Sequence, residues 1–287
     1  MMRYSERKER AMSRNQPQLT PWPPARPARR LQHCKLLVAD VDGTLTEQGA
    51  PVPQTLVTLI SRYREKGGRF TLATGRCVEA ARPFLSQLEV DSPAILLNGA
   101  MLFDPVSERT LEEHHLDSQL VEHLLTRLEQ TRPDALVYRD QEVFVRRITP
   151  AIKRHLIKDK SHCREVTHWL ELDRRKVFKV LVIAPEAPVS LFGGRWVNSE
   201  PTYWEILPDG VSKGAALASL CRRLHISPEE VAAVGDGLND LEMISFAGLG
   251  VALANAAAGL KPAAAMVTVS PGSLGVCELV EQLLATR

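Results

Sequence analysis

Lys35-Leu36-Leu37-Val38-Ala39-Asp40-Val41-Asp42-Gly43-Thr44-Leu45 is the stretch that decides the fold. An apolar run with no polar alternation, closed by an acid and then a glycine, reads as a strand buried on both faces with polar groups at its carboxyl end. Working outward, 56–63 reads as a helix, Arg69-Phe70-Thr71-Leu72-Ala73 as a second strand ending in Thr74-Gly75-Arg76, and 78–88 as a helix. Ala94-Ile95-Leu96-Leu97-Asn98-Gly99 makes a third strand. Strand and helix alternating at intervals of about thirty residues mean βαβ units and a parallel sheet.

From Met101 the rhythm changes. A helix over 117–131, strands over 135–139 and 142–148, a strand over 176–184 and a short one over 195–198 read as a separate α+β insert. Tyr203-Trp204-Glu205-Ile206-Leu207 leads back to the parallel pattern, which resumes with a helix over 213–224, the strand Val231-Ala232-Ala233-Val234 and a helix over 241–247. Short strands over 250–253 and 265–269 and a closing helix over 275–284 complete it. The expected organisation is an α/β core over 34–103 and 203–287 with an inserted domain over 104–202. Residues 1–33, Pro-rich and without apolar period, are expected to be a disordered extension.

The chain has 287 residues, 44% hydrophobic and 24% charged, which suffices for a large core or two modest ones. It contains no apolar run long enough for a membrane span. The formal net charge of +2 conceals an asymmetry, because the first thirty residues carry about +6 and the remainder about −4. The body therefore lacks the positive excess that counterion release on nucleic acid needs. Cys34, Cys77, Cys163, Cys221 and Cys277 are odd in number and never spaced as CxxC, the usage of reduced thiols in a cytoplasm. No apolar segment before Leu36 resembles a secretory signal.

Open parallel sheets take ligands beyond the carboxyl ends of their strands. Four polar clusters stand there: the Asp40 motif, Thr74-Gly75-Arg76, Lys213 at a helix start, and Gly235-Asp236-Gly237-Leu238-Asn239-Asp240. Asp40, Asp42, Asp236 and Asp240 bring up to four carboxylates toward one point, where they repel unless a cation sits among them. Oxygen-only ligands suit Mg²⁺, which keeps several waters and accepts a substrate phosphate. Thr74, the adjacent amides and Lys213 supply the donors and positive charge that phosphoryl oxygens require.

The ordered set DxDGT, TGR, Lys and GDxxND strongly resembles the haloacid dehalogenase-like phosphohydrolases. Glu205-Ile206-Leu207-Pro208-Asp209-Gly210-Val211-Ser212-Lys213-Gly214 and GDGLNDLEM resemble their Cof-type branch, which carries a C2B cap. The resemblance implies a Rossmann-like core with an inserted cap and a phosphatase acting on a small phosphomonoester, most simply a sugar phosphate. It implies Asp40 as the nucleophile that becomes an aspartyl-phosphate, and Asp42 as the acid and base, which must hold a proton near neutral pH. It further implies Mg²⁺ held by Asp40, the backbone carbonyl of Asp42 and Asp236, with Asp240 supporting the metal shell, and phosphate held by Thr74, Gly75, Lys213 and Asn239. Gly43 would permit close backbone approach.

An acid at position 42 disfavours dehalogenase chemistry. A phosphomutase or phosphotransferase using the same site, and a non-catalytic sensor of a phosphorylated ligand, stay open as alternatives. Arg76 is expected to stabilise its strand end. Arg139, Arg146, Arg147, Lys153, Arg154, His155 and Lys158 form a basic stretch that either faces the site or is solvated. The stretch 185–194 is too short for a full extra helix, and Leu253-Ala254-Asn255-Ala256, where Cof-type sequences have Met-Gly-Asn-Ala, is expected to have no catalytic consequence. The expected partner is a small phosphorylated molecule, with no stable nucleic-acid partner, no membrane, and the oligomeric state open.

Overall fold

The computed structural model describes residues 31–47, 49–192 and 196–286, with the backbone alone at 190 and 191. The expected extension over 1–33 lies outside these residues except at its end. There Leu31 is buried in the core, and its carbonyl accepts from Cys34 N and Thr286 Oγ1. Residues 31–33 thus belong with the packed core instead of the extension, because Leu31 has an apolar surface to cover.

Strand β1 (Leu36–Ala39) lies inside a five-stranded, all-parallel sheet, second from one edge. β2 (Arg69–Leu72) lies on one side of it; β12 (Val231–Gly235), β13 (Leu249–Ala252) and β14 (Met266–Val267) follow on the other. Leu37 and Ala39 of β1 face one way, toward Leu56 and Ile60 of helix α1 (Gln54–Glu65) and Val276, Leu279 and Val280 of α8 (Gly272–Ala285). Leu36 and Val38 face the other way, toward Leu217 and Leu220 of α6 (Lys213–Leu224) and Met243 and Ile244 of α7 (Leu241–Phe246). Alternate side chains thus enter two apolar layers, which is why the strand reads as an unbroken hydrophobic run. Helix α2 (Val78–Gln87) adds Ala81, Phe84 and Leu85 to the first layer.

The third strand, β3 (Ala94–Leu96), meets the parallel sheet only through a bridge between Ala73 and Ile95. It pairs antiparallel with β4 (Met101–Asp104), which pairs with β5 (Arg109–Glu113). Beyond β5 the insert begins, with helix α3 (Ser118–Thr131) lying on a six-stranded sheet of order β10-β11-β9-β6-β7-β8. Its strands are β6 (Asp134–Arg139), β7 (Glu142–Val145), β8 (Arg164–Glu165), β9 (Val177–Ile183), β10 (Val197–Glu200) and β11 (Tyr203–Ile206). The pairing shifts both expected boundaries. Residues 104–113 pair on the core side, and Tyr203–Ile206 lies antiparallel to β9 inside the inserted sheet instead of opening the return to the core.

Helix α4 (Pro150–Asp159), capped by Thr149 Oγ1 accepting from Ile152 N, was hidden in the basic stretch. The segment judged too short for a full helix holds α5 (Val189–Phe192), four residues long. Among the described residues no helix is long and apolar enough to cross a membrane.

The two crossings between core and insert gather at one place. His114 N donates to Ala100 O at 2.8 Å. Beside it, Gly99 has φ +101° and so close an approach to the Ser212 carbonyl that a Cβ there would lie 2.2 Å from the oxygen.

Leu37 is fully buried under β1's first layer. Leu37→Ala should lower unfolding free energy by about 2–5 kcal/mol, read as a lower denaturant midpoint; an unchanged midpoint would contradict the packing described.

Candidate active site

The carboxyl ends of β1, β2 and β12 open on a cleft of about 450 Å³ roofed by the insert. Asp40 follows β1 directly and its N–H donates to Val234 O of β12, so the two strands fix its position. Asp236 follows β12 across the same gap. The turn after Asp40 carries Gly43 at φ +82°, where a Cβ would lie 2.4 Å from Asp236 Oδ2. Only a residue without a side chain allows both that backbone conformation and that approach. Thr44 Oγ1 donates to Asp236 Oδ1 at 2.8 Å, and Asn255 Nδ2 reaches Asp236 Oδ2 at 3.3 Å and Gly43 O at 3.0 Å.

Lys213 enters at the first turn of α6, which Ser212 caps by accepting from Ala215 N. Its Nζ, essentially without exposure, donates to Asp40 Oδ1 at 2.5 Å and Asp240 Oδ1 at 2.7 Å. The other oxygen of Asp240 accepts from the N–H groups of Asp236 and Gly237, both at 3.0 Å. Asp240 is thus a buried brace for the loop that carries Asp236.

One carboxylate oxygen from each of Asp40, Asp236 and Asp240 lies within 4.8 Å of the others. Three carboxylates against one ammonium leave two uncompensated negative charges. The acidities record it: burial, followed by the other three aspartates against the opposing pull of Lys213, pushes Asp40 well above the usual carboxylate range. Asp236 is pushed up to about 6, by burial and then by Asp240. Burial opposes the charge on Lys213, yet Asp240 and Asp40 outweigh it and raise its pKa. Hard oxygen donors with a deficit of two charges fit a small divalent cation.

Asp42 sits differently. Arg76, 2% exposed, grips it with two bonds, Nε to Oδ2 at 2.8 Å and Nη2 to Oδ1 at 2.7 Å. Burial pushes the Asp42 carboxyl up, but these bonds and the Arg76 charge outweigh it and hold the group below the usual range. The arrangement therefore holds a carboxylate, not the protonated acid that the resemblance requires. Arg76 also donates to the Lys158 and Asp159 carbonyls at the end of α4. It joins the Asp42 loop to the insert, instead of bonding β2 as expected of it.

Of the residues singled out from sequence, Asp40, Asp42, Gly43, Gly75, Asp236 and Asn239 line the cleft. Lys213 and Asp240 stand behind Asp40. Thr74 is buried, its hydroxyl accepting from Arg76 N, and is not in the cleft wall. From the basic stretch, His155 and Lys158 reach the cleft, whereas Arg139 pairs with Asp173 and Arg146 with Glu129. Lys158 pairs with Glu200 and lies over the Tyr203 ring. Sequence reasoning missed Asn98, Lys179, Glu205 and Asn255. For Lys179 a signal existed, since a lysine interrupts the otherwise apolar β9. Asn255, which the Cof-type pattern shares, holds the Asp236 loop, while the departure beside it is at Leu253 and Ala254.

A family model described as haloacid dehalogenase-like hydrolase matches residues 37–280. Among curated relatives, the pyridoxal phosphate phosphatase YbhA of Escherichia coli is 27% identical, over 81% of this chain and 92% of its own. A phosphoglycolate phosphatase of Pyrobaculum islandicum is 29% identical, over 88% and 96%. The crystal structure of a haloacid dehalogenase-like hydrolase from Bacteroides thetaiotaomicron superposes with a TM-score of 0.76 at 30% identity, covering 86% of this chain and 98% of that one. The matched span takes in the Asp40 motif at one end and most of α8 at the other, with the insert between them. On that extent of agreement the chain belongs to the haloacid dehalogenase-like hydrolases, in their Cof-type branch, and is a phosphatase.

Proposed function

We propose that the enzyme hydrolyses a small phosphomonoester, a sugar phosphate or similar metabolite, with Mg²⁺ as cofactor and an aspartyl-phosphate on Asp40 as intermediate. The observation that carries this reading is the convergence of Asp40, Asp236 and Asp240, with Lys213 paired to the first and last, at the floor of a cleft roofed by the insert. Asp40, Asp236 and the Asp42 backbone carbonyl would hold the ion, with Asp240 as their support. When bound, the ion neutralises phosphoryl oxygens and so lets an anionic nucleophile approach an anionic substrate.

The chain's own residues supply the rest. Lys213 takes Asp40 Oδ1 and thereby orients the carboxylate for attack. The attacking oxygen forms a bond to phosphorus as the bond to the substrate alcohol breaks, and Asp42 gives that alcohol its proton. Water then attacks phosphorus, Asp42 takes the proton from it, and Asp40 is released with inorganic phosphate. Arg76 keeps Asp42 in the carboxylate form suited to this second step. Negative charge brought by the substrate favours the protonated form that the first step needs. Gly75, Asn239 and Lys213 hold the phosphoryl oxygens, and Thr74 supports them by fixing the Gly75 turn.

The insert acts as a cap, excluding water and selecting the alcohol. Each lysine or arginine in the described cleft wall already faces a carboxylate: Arg76 with Asp42, Lys158 with Glu200, Lys179 with Glu205. Such a wall favours a neutral, hydroxyl-rich leaving group over a second anion.

Phosphate release from a panel of sugar phosphates, pyridoxal phosphate and phosphoglycolate tests the reading. Turnover should vanish with EDTA and return with Mg²⁺, and Asp40→Asn should lower it by about 10⁴-fold or more. Turnover indifferent to EDTA, or surviving in Asp40→Asn, would overturn it.

Asp42→Asn preserves the side-chain shape but cannot exchange the proton. It should lose about 10²–10⁴-fold in turnover while inorganic phosphate still binds. Undiminished turnover would remove Asp42 from the acid and base roles.

A further inference from the structure

Along the cleft wall a largely buried polar chain crosses from cap to core. Lys179 of β9 and Glu205 of β11 are adjacent-strand neighbours whose side chains face the core, on the same side of the cap sheet as Leu181. Their charged ends are 2.8 Å apart and both residues are almost fully buried. Lys179 Nζ also donates to the Gly75 carbonyl at 2.8 Å. Glu205 Oε1 accepts from Ser199 Oγ of β10 at 2.7 Å, and Oε2 accepts from Asn98 Nδ2 at 2.8 Å. Asn98 Oδ1 in turn accepts from Asn239 Nδ2 at 3.1 Å.

The chain has a direction. A carboxylate only accepts, so Glu205 draws the amino end of Asn98 toward itself and turns its carbonyl to the other side. That carbonyl accepts only from a donor, which turns the amino group of Asn239 toward it. An amide amino group has two hydrogens. One is spent on Asn98, and the other is left for an oxygen in the cleft that Asn239 lines. Asn98 is held in the left-handed region, φ 56° and ψ 30°, among buried neighbours. Such a conformation persists where surroundings over-determine it.

We propose that Asn98 is a positioning residue: it takes its orientation from the buried Lys179–Glu205 pair of the cap and passes it to Asn239, so that the seating of the cap sets the phosphate-holding amide. This rests on the reading of Asn239 as a phosphate ligand. It makes Lys179 and Glu205, which lie in the cap sheet, part of the phosphate site's support.

The test is calorimetric titration of the full chain with inorganic phosphate in the presence of Mg²⁺. Asn98→Gly accepts the positive φ, removes the bridge and leaves the ion pair in place. It should weaken phosphate binding about five- to tenfold, the loss of one positioned hydrogen bond. Asn239→Ala should do the same, and the double variant should be no worse than either single, because residues acting in series are not additive. Lys179→Met with Glu205→Leu removes both charges together, avoids leaving one buried and unpaired, and leaves Asn98 Nδ2 no acceptor at 205. It should reproduce the Asn98→Gly loss.

Phosphate affinity in Asn98→Gly within about twofold of wild type, losses that multiply in the double variant, or no phosphate binding by wild type would each overturn the proposal. A wild type that binds phosphate and shows the expected losses, but hydrolyses nothing, would instead sink the phosphatase mechanism and leave this inference standing.

Discussion

Everything near the cleft depends on the position of the Lys213 ammonium. It is buried between Asp40 and Asp240 at the point where the central strands of a parallel sheet end. Buried carboxylates repel one another and resist ionisation, and one fixed cation lets two of them share a small volume. The cation is placed by the first turn of α6, whose start is set by the Ser212 cap, and α6 is itself held by Leu217 and Leu220 against the second face of β1. The apolar packing of β1 and the polar chemistry at its end therefore reach Lys213 through the same helix.

The compensation is incomplete by design of the residues present. Asp40 and Asp236 remain raised in pKa and close together, although Lys213 donates to the one and Thr44 and Asn255 to the other. Asp42, two residues from Asp40, is lowered instead, because a guanidinium grips both its oxygens. Chemically similar side chains are thus set to different protonation tendencies by their neighbours alone.

Legibility in the sequence followed the reach of the interaction. β1 and β12 were readable because burial on both faces imprints a local apolar run, and Asp40, Asp42, Asp236 and Asp240 because each follows directly on such a run or its turn. Asn98, Lys179 and Glu205 depend on contacts between segments separated by 104 and 107 residues or by the 26 residues between two strands of the cap. No local period encodes them. Helix α4 was missed because its buried residues, Ile152, His155 and Asp159, include only one aliphatic side chain, so its inward face carries little hydrophobic signal. The expected boundary at Tyr203 erred for a related reason. A strand of four residues, half-buried at Tyr203 and Trp204 and buried at Glu205 and Ile206, looks alike at a core edge and in an antiparallel cap, and pairing with β9 decides.

The crowding of both crossings around Gly99 and Ala100 bears on how such proteins diversify. Since outgoing His114 bonds Ala100 and the returning Ser212 carbonyl packs on Gly99, both crossings meet one turn of the core, and the insert is joined to it like a pendant on a clasp. Away from the ties that Arg76, Lys179 and Glu205 make between insert and catalytic floor, sequence change in the pendant can proceed with some independence of that floor. That independence accords with relatives of similar identity being named for substrates as unlike as pyridoxal phosphate and phosphoglycolate.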